Sequence, residues 1–71
     1  MSKKLLFKTF CIEQYKAAHE LNGKETIDLF DLYEVLSYLD ECYEPLHTQG
    51  SRYLVEEVDE LIKERKAGAV S

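Results

Sequence analysis

Apolar residues recur along most of this chain at the three-to-four-residue spacing of an amphipathic α-helix. In the first segment the apolar positions lie three, four or seven residues apart, at Phe7, Phe10, Cys11, Ala18 and Leu21, with Ile12 and Tyr15 beside them. Asn22 and Gly23 follow, and glycine accepts the left-handed backbone conformation that commonly ends a helix. The pattern predicts a first helix over residues 3–21.

The next segment predicts a second helix, from Lys24 to about Tyr33. Its apolar residues point to nearly all sides of the helix: Ile27, Leu29, Phe30, Leu32 and Tyr33. A short helix of this kind usually lies at the centre of a bundle. We therefore expect this helix to fill the core.

The third segment has the clearest helical spacing, i, i+4, i+7 and i+11, at Val35, Leu39, Cys42 and Leu46. Pro45 interrupts it, because a proline within a helix lacks the N–H donor and clashes with the preceding turn. Either the helix ends near Tyr43, which we prefer, or Pro45 opens a new short turn with Glu44 before it. Residues 47–50 then form a connector.

Ser51 is a suitable N-cap for the last helix. Its apolar stripe comprises Leu54, Val58, Leu61 and Ile62, with Val55 alongside, and its basic residues Lys63, Arg65 and Lys66 lie at the predicted end, where they complement the helix dipole. Residues 67–71 are predicted to be a frayed tail. The pattern as a whole predicts an all-α, compact bundle of about four short helices, with a single domain over residues 3–66.

Composition limits what this bundle can do. The chain has 71 residues and a net charge of -5. A domain of this length buries only about 60% of the surface of its unfolded chain, so its core is thin. Between Lys24 and Arg52 there is no lysine or arginine, whereas seven carboxylates occur there: Glu25, Asp28, Asp31, Glu34, Asp40, Glu41 and Glu44. Such a segment repels phosphate backbones and attracts basic protein surfaces.

The sequence argues against several kinds of site. The second and third helices resemble a helix-turn-helix, but every formal charge on the would-be recognition helix is negative, so we expect no nucleic-acid binding. The possible soft metal ligands, Cys11, His19, Cys42 and His47, do not follow zinc-site spacings. No nucleophile elbow, phosphate-binding loop or HExxH motif occurs, so we predict no enzyme and no cofactor.

The chain has no apolar run long enough to span a bilayer, so we expect a cytoplasmic protein without membrane contact. Cys11 and Cys42 suit that compartment as small buried residues, and a disulfide between them is the less favoured alternative.

The acidic segment is rich in tyrosine, which anchors many interfaces. The predicted partner-binding residues are Tyr38, Asp40, Glu41, Tyr43, Glu44 and His47. Tyr33 and Tyr43 are expected to support the core, and Tyr38, off the apolar stripe, to be exposed.

Three segments, FCIEQYKAAHELNGKETIDLF, YLDECYEPLHTQG and YLVEEVDELIKER, resemble a family of short bacterial proteins known as domain of unknown function thirty-seven ninety-one. The resemblance covers about residues 5–65, and Pro45 departs from the family pattern. It implies a small helical protein, often encoded beside an ADP-ribosyltransferase-like toxin, and therefore a neutralising or accessory role. It assigns no functional residue.

Three hypotheses follow. The first is an acidic, antitoxin-like protein-interaction module that covers a basic or phosphate-binding surface of its partner. The second is a self-associating domain whose leftover apolar surface forms a homodimer. The third, less favoured on charge grounds, is a DNA-binding regulator.

Overall fold

Residues 2–70, which the computed structural model describes, form five α-helices joined by short turns. The helices are α1 (Lys3–Ala18), α2 (Gly23–Leu32), α3 (Val35–Glu41), α4 (Tyr43–Leu46) and α5 (Ser51–Val70). No residue of this range lies in a β-strand. The predicted all-α bundle is confirmed, with one helix more than expected because the third segment is divided.

Helix α1 ends at Ala18, earlier than predicted. Glu20 adopts a left-handed conformation with φ of 53°. The N–H of Leu21 bonds to the carbonyl of Lys16 at 3.0 Å, and that of Glu20 bonds to Ala17, which is the Schellman arrangement. The prediction that Asn22 and Gly23 end this helix is therefore wrong, because a glutamate supplies the left-handed residue.

Asn22 and Gly23 instead begin α2. The Asn22 side chain accepts a hydrogen bond from the Glu25 N–H at 2.7 Å, and the Glu25 side chain accepts one from the Asn22 N–H at 3.0 Å. This capping box satisfies donors that a helix start leaves unpaired. The predicted bounds of α2 are correct to within one residue.

The prediction that α2 lies at the centre of the bundle is wrong. Its buried side chains are Thr26 and Phe30, whereas Ile27 is 44% exposed and Leu32 is 71% exposed. The Thr26 hydroxyl donates to the Asn22 carbonyl at 2.9 Å, so this buried polar group is paired. Only one side of α2 is covered by other helices, and its remaining apolar residues stay at the surface.

Pro45 divides the third segment. Helix α3 ends at Glu41, and α4 begins at Tyr43 with Pro45 as its third residue. Proline has no N–H to donate to the Glu41 carbonyl, so α3 cannot continue, but the first turn of a new helix requires no such donor. Helix α3 thus ends two residues before Tyr43, close to the preferred end, and the alternative, a new short turn around Pro45, is present as α4.

Helix α5 includes Ser51 as its first residue and continues to Val70. Residues 67–70, predicted as part of a frayed tail, belong to the helix, and Ser71 lies outside the described residues. The last turn of α5 consequently contains no basic residue, because Lys63, Arg65 and Lys66 lie before it. The predicted dipole role of these cations is therefore wrong.

The core lies between α1, the α2–α3 pair and α5. Its buried apolar residues are Phe7, Cys11, Tyr15, Phe30, Val35, Leu39, Leu46, Leu54, Val58 and Ile62. The stripes predicted for the third and last helices are confirmed, with Cys42 and Leu61 packed against the core as partly buried residues. In α1 the stripe is narrower than predicted, since Phe10 is 43% exposed.

Both cysteines are free thiols. Burial raises the pKa of Cys11 to about 11, which keeps this thiol protonated at neutral pH. Within residues 2–70, no helix combines the length and the apolar character that crossing a membrane requires.

Candidate protein-binding surfaces

The six predicted partner-binding residues do not share one surface. Tyr38 lies beside α5, Asp40 lies beside the lysines of α1, and Tyr43 and His47 lie over Phe7 of α1. Glu41 and Glu44 are exposed. The single acidic surface expected from the sequence is therefore distributed over several sides of the bundle.

Asp40 is neutralised by two lysines of α1. Its carboxylate lies 3.2 Å from the Lys8 ammonium and 3.7 Å from that of Lys4. The hydrogen bond from Lys8, together with the charge of Lys4, holds the pKa of Asp40 below its ordinary value. This part of the acidic segment therefore binds its own α1 helix.

A groove of about 850 Å³ lies between the α2–α3 turn and α5. We call it the Leu32 groove; its lining residues are Leu32, Tyr33, Glu34, Tyr38, Leu61, Glu64, Arg65 and Gly68. Leu32, at 71% exposure, is the most exposed large apolar side chain in the described part of the chain. The apolar pattern of α2 does not reveal this exposure, because it predicts that every apolar residue of the helix lies in the core.

The α2–α3 turn that forms one wall of the groove is held by α5. Glu34 has a left-handed backbone with φ of 52°, a conformation that costs a non-glycine residue about 1–2 kcal/mol. The Arg65 guanidinium donates to the carbonyls of Tyr33 and of Glu34, the latter at 2.9 Å. Carbonyls at a helix end lack partners within the helix, so Arg65 completes the C-terminus of α2 at Tyr33. The Glu34 carbonyl also accepts the Tyr38 N–H at 3.3 Å, at the start of α3.

Aromatic rings and negative charge surround the same groove. The Arg65 guanidinium carbon lies 5.9 Å from the centre of the Tyr38 ring. Burial raises the pKa of the Tyr38 hydroxyl, and the nearby Cys42, Glu57, Tyr53 and Glu64 raise it further. Two of those neighbours are carboxylates, and Glu34 and Glu64 line the groove itself. The groove therefore has an apolar floor with the carboxylates Glu34 and Glu64 at its rim, while the Lys66 ammonium lies 5.9 Å from the centre of the Tyr33 ring.

Tyr43 and His47 form a second, separate surface. Their rings are stacked, with centroids 4.4 Å apart and planes 10° apart, and Tyr43 contacts Phe7 edge-on at 5.4 Å. The His47 Nδ1 lies 2.9 Å from the carbonyl oxygens of both Tyr43 and Glu44. Because carbonyl oxygens only accept, Nδ1 carries the hydrogen and donates it. The His47 side chain thus binds backbone carbonyls of α4 and stabilises this short helix.

A polar cluster that the residue pattern does not predict lies between α1 and α5. The Tyr15 hydroxyl donates to Asp59 at 2.9 Å, and His19 Nε2 lies 3.0 Å from the same carboxylate. Burial raises the pKa of Tyr15, and the hydrogen bond to Asp59 and its charge raise it further. These residues are separated by 40 and 44 positions, so no local pattern could reveal the contact. In the described residues, no group of three or more His, Cys, Asp or Glu could hold a metal ion.

Comparison with known proteins gives one match. The family described as "Protein of unknown function (DUF3791)" matches residues 6–65, nearly the range over which the sequence resembles it. No curated protein and no solved structure was found to match. Since the match covers most of the chain, the protein belongs to the DUF3791 family of proteins of unknown function.

Proposed function

We propose that this protein is a non-catalytic interaction module that binds a basic, amphipathic segment of another protein in the Leu32 groove. The observation that carries the proposal is the position of Leu32, which is 71% exposed beside two tyrosines and a glutamate rim. Full burial of a leucine side chain contributes about 1.5–3 kcal/mol. The groove thus offers an apolar anchor that the folded chain leaves uncovered.

Charge indicates the chemistry of the partner. Arg65, the basic residue in the groove wall, is already bonded to two backbone carbonyls. Glu34 and Glu64 remain at the rim, with Glu57 close to Tyr38. Rim charges mainly steer encounter and select partners. A segment that presents lysine or arginine on either side of an apolar residue is the complement of this surface.

An antitoxin-like role is the finer form of the proposal. It rests on the resemblance to a family often encoded beside ADP-ribosyltransferase-like toxins. An ADP-ribosyltransferase pocket binds an anionic dinucleotide, so its entrance is expected to be basic. A groove with an acidic rim is suited to covering such an entrance and excluding the dinucleotide.

The test compares two substitutions in the same helix. Leu32→Ala removes the groove anchor, whereas Ile27→Ala removes an apolar side chain of α2 that is 44% exposed and does not line the groove. Each variant is immobilised and used to capture proteins from a lysate of the native host. Support requires a captured protein that is retained by Ile27→Ala, lost by Leu32→Ala and released by salt. Equal capture by both variants, or no capture by the unaltered chain, would contradict the proposal.

The antitoxin-like form requires its own measurement. A purified ADP-ribosyltransferase-like toxin encoded beside this gene should bind the unaltered chain and lose its transferase activity, with Leu32→Ala restoring that activity. If the toxin remains active at saturating concentrations of the unaltered chain, the neutralising role is wrong even where the groove binds another protein.

A further inference from the structure

The outward side of α1 carries four residues at the spacing of a helix-pairing seam. Lys3, Leu6, Phe10 and Glu13 follow i, i+3, i+7 and i+10, which is the alternating three-and-four spacing of coiled coils. Leu6 is 54% exposed and Phe10 is 43% exposed, while Lys3 and Glu13 are exposed at the two ends. We call these four residues the α1 seam. Its length along the helix axis is about 15 Å.

Two copies of the α1 seam complement each other when they run in opposite directions. Read from one end the seam is basic, apolar, apolar, acidic; read from the other it is acidic, apolar, apolar, basic. In an antiparallel pair of α1 helices, each Leu6 faces the Phe10 of the second copy, and each Lys3 faces the second Glu13. Both apolar layers and both end charges are then matched.

We propose that two copies of this chain associate through the α1 seam, with the two α1 helices antiparallel about a twofold axis. A twofold interface requires one surface to complement itself. The α1 seam meets this requirement. The two surfaces are separate, so this inference does not depend on the proposed function.

The neighbouring residues provide a flank for the second helix. A hollow of about 330 Å³ beside the seam is lined by Lys3, Leu6, Phe7, Phe10, Tyr43 and His47. The flat Tyr43–His47 stack forms one wall of this hollow. Glu13 lies 3.2 Å from Lys16 within the same helix, but both side chains are partly exposed, and such a neighbouring pair contributes little. Glu13 therefore remains able to pair across the interface.

The first test compares adjacent leucines of similar exposure. Leu6 belongs to the seam, whereas Leu5, at 48% exposure, lies on another side of α1. We expect sedimentation equilibrium to show a dimer for the unaltered chain at micromolar concentrations. Leu6→Ala should weaken association on the order of a hundredfold, because it removes two apolar contacts per dimer, and Leu5→Ala should leave association unchanged. A chain that stays monomeric at hundreds of micromolar would overturn the proposal, as would equal weakening by both variants.

Charge reversal tests the antiparallel register. Lys3→Glu and Glu13→Lys should each weaken association about tenfold, because each creates two like-charge pairs. The double variant Lys3→Glu/Glu13→Lys should restore the association of the unaltered chain. Lys63→Glu, on α5, is the control for the altered net charge, and circular dichroism should show equal helical content in all variants. If the double variant associates no better than either single variant, this register is wrong.

Discussion

Helix α5 is tied to the rest of the bundle by two long-range polar contacts that differ in kind. Near its middle, Asp59 accepts a hydrogen bond from the buried Tyr15, and the Tyr15 ring packs edge-on against Phe30 at 5.3 Å. Further along, Arg65 donates to backbone carbonyls of the α2–α3 turn. We call these the Asp59 contact and the Arg65 contact.

The two contacts lie on different sides of the bundle, one over buried apolar residues and one beside exposed apolar residues. The Asp59 contact lies over fully buried Phe30, whereas the Arg65 contact lies beside Leu32, which is largely exposed. Phe30 and Leu32 are two residues apart in one helix, so they point to different sides of it. The Asp59 contact therefore lies over buried core, whereas uncovered apolar surface lies beside the Arg65 contact.

The largest expected effect comes from truncating the apolar residue on each side. Phe30→Ala should cost about 3–5 kcal/mol of unfolding free energy, because it leaves a cavity in the core. Leu32→Ala should change it by less than about 0.5 kcal/mol. Urea unfolding followed by circular dichroism measures both, and Phe30→Leu provides a milder variant if Phe30→Ala does not fold. Equal destabilisation by Phe30→Ala and Leu32→Ala would remove the distinction between the two sides.

Replacement of Arg65 should have an intermediate effect. Arg65→Ala should cost about 1–2 kcal/mol, because it leaves the carbonyls at the end of α2 without a charged donor. Arg65→Lys should cost less, since lysine keeps the charge but lacks the forked guanidinium geometry. The control is Arg52→Ala, because Arg52 is 94% exposed in its exposed pair with Glu56, and such pairs are worth about 0–1 kcal/mol. Thermal unfolding should rank the three variants in that order.

The Asp59 contact should show its effect at alkaline pH. Tyr15→Phe should cost about 1 kcal/mol at neutral pH, because it removes one hydrogen bond. The folded state raises the pKa of Tyr15, so this stability is present below the ordinary tyrosine pKa of about 10 and is lost as pH rises above it. Unfolding free energy measured from pH 8 to pH 11 should therefore fall more steeply in the unaltered chain than in Tyr15→Phe. Parallel curves would show that the hydroxyl titrates equally in both states.

The smallest effect is expected at Asp40, which lies at neither α5 contact. The hydrogen bond from Lys8 is the main cause that lowers the pKa of Asp40, so Lys8→Gln should raise that pKa toward its ordinary value. The sign of the shift means that the ion pair stabilises the fold above the ordinary aspartate pKa and is lost as pH falls. Carboxyl-detected NMR titration of the unaltered chain and of Lys8→Gln measures the change. An unaltered Asp40 pKa would show that Lys8 does not reach this carboxylate in solution.

Several features of the fold were predictable from local pattern. The apolar stripe of α5 at Leu54, Val58 and Ile62 is buried as expected, and Pro45 limits α3 for the reason that its missing N–H suggests. The prediction that Tyr38 is exposed is wrong, because this side chain is partly buried against the core, and its assignment as a partner-binding residue stays a prediction. The α5 stripe and the effect of Pro45 could be predicted because they depend on helix periodicity and backbone chemistry, which act over a few residues.

The features that the residue pattern does not predict depend on which helices pack against each other. The order of residues along the chain established that α1 and α2 are helical and apolar, but not which side of each helix other helices cover. Leu32 and Leu6 are exposed because packing covers the opposite sides of their helices, and Asp40 is neutralised because α3 lies against the lysines of α1. Periodicity is a local property, whereas the polar contacts of α5 with the rest of the bundle join residues 31–44 positions apart. The helices therefore follow from the residue pattern, and the surfaces available to a partner follow from their assembly.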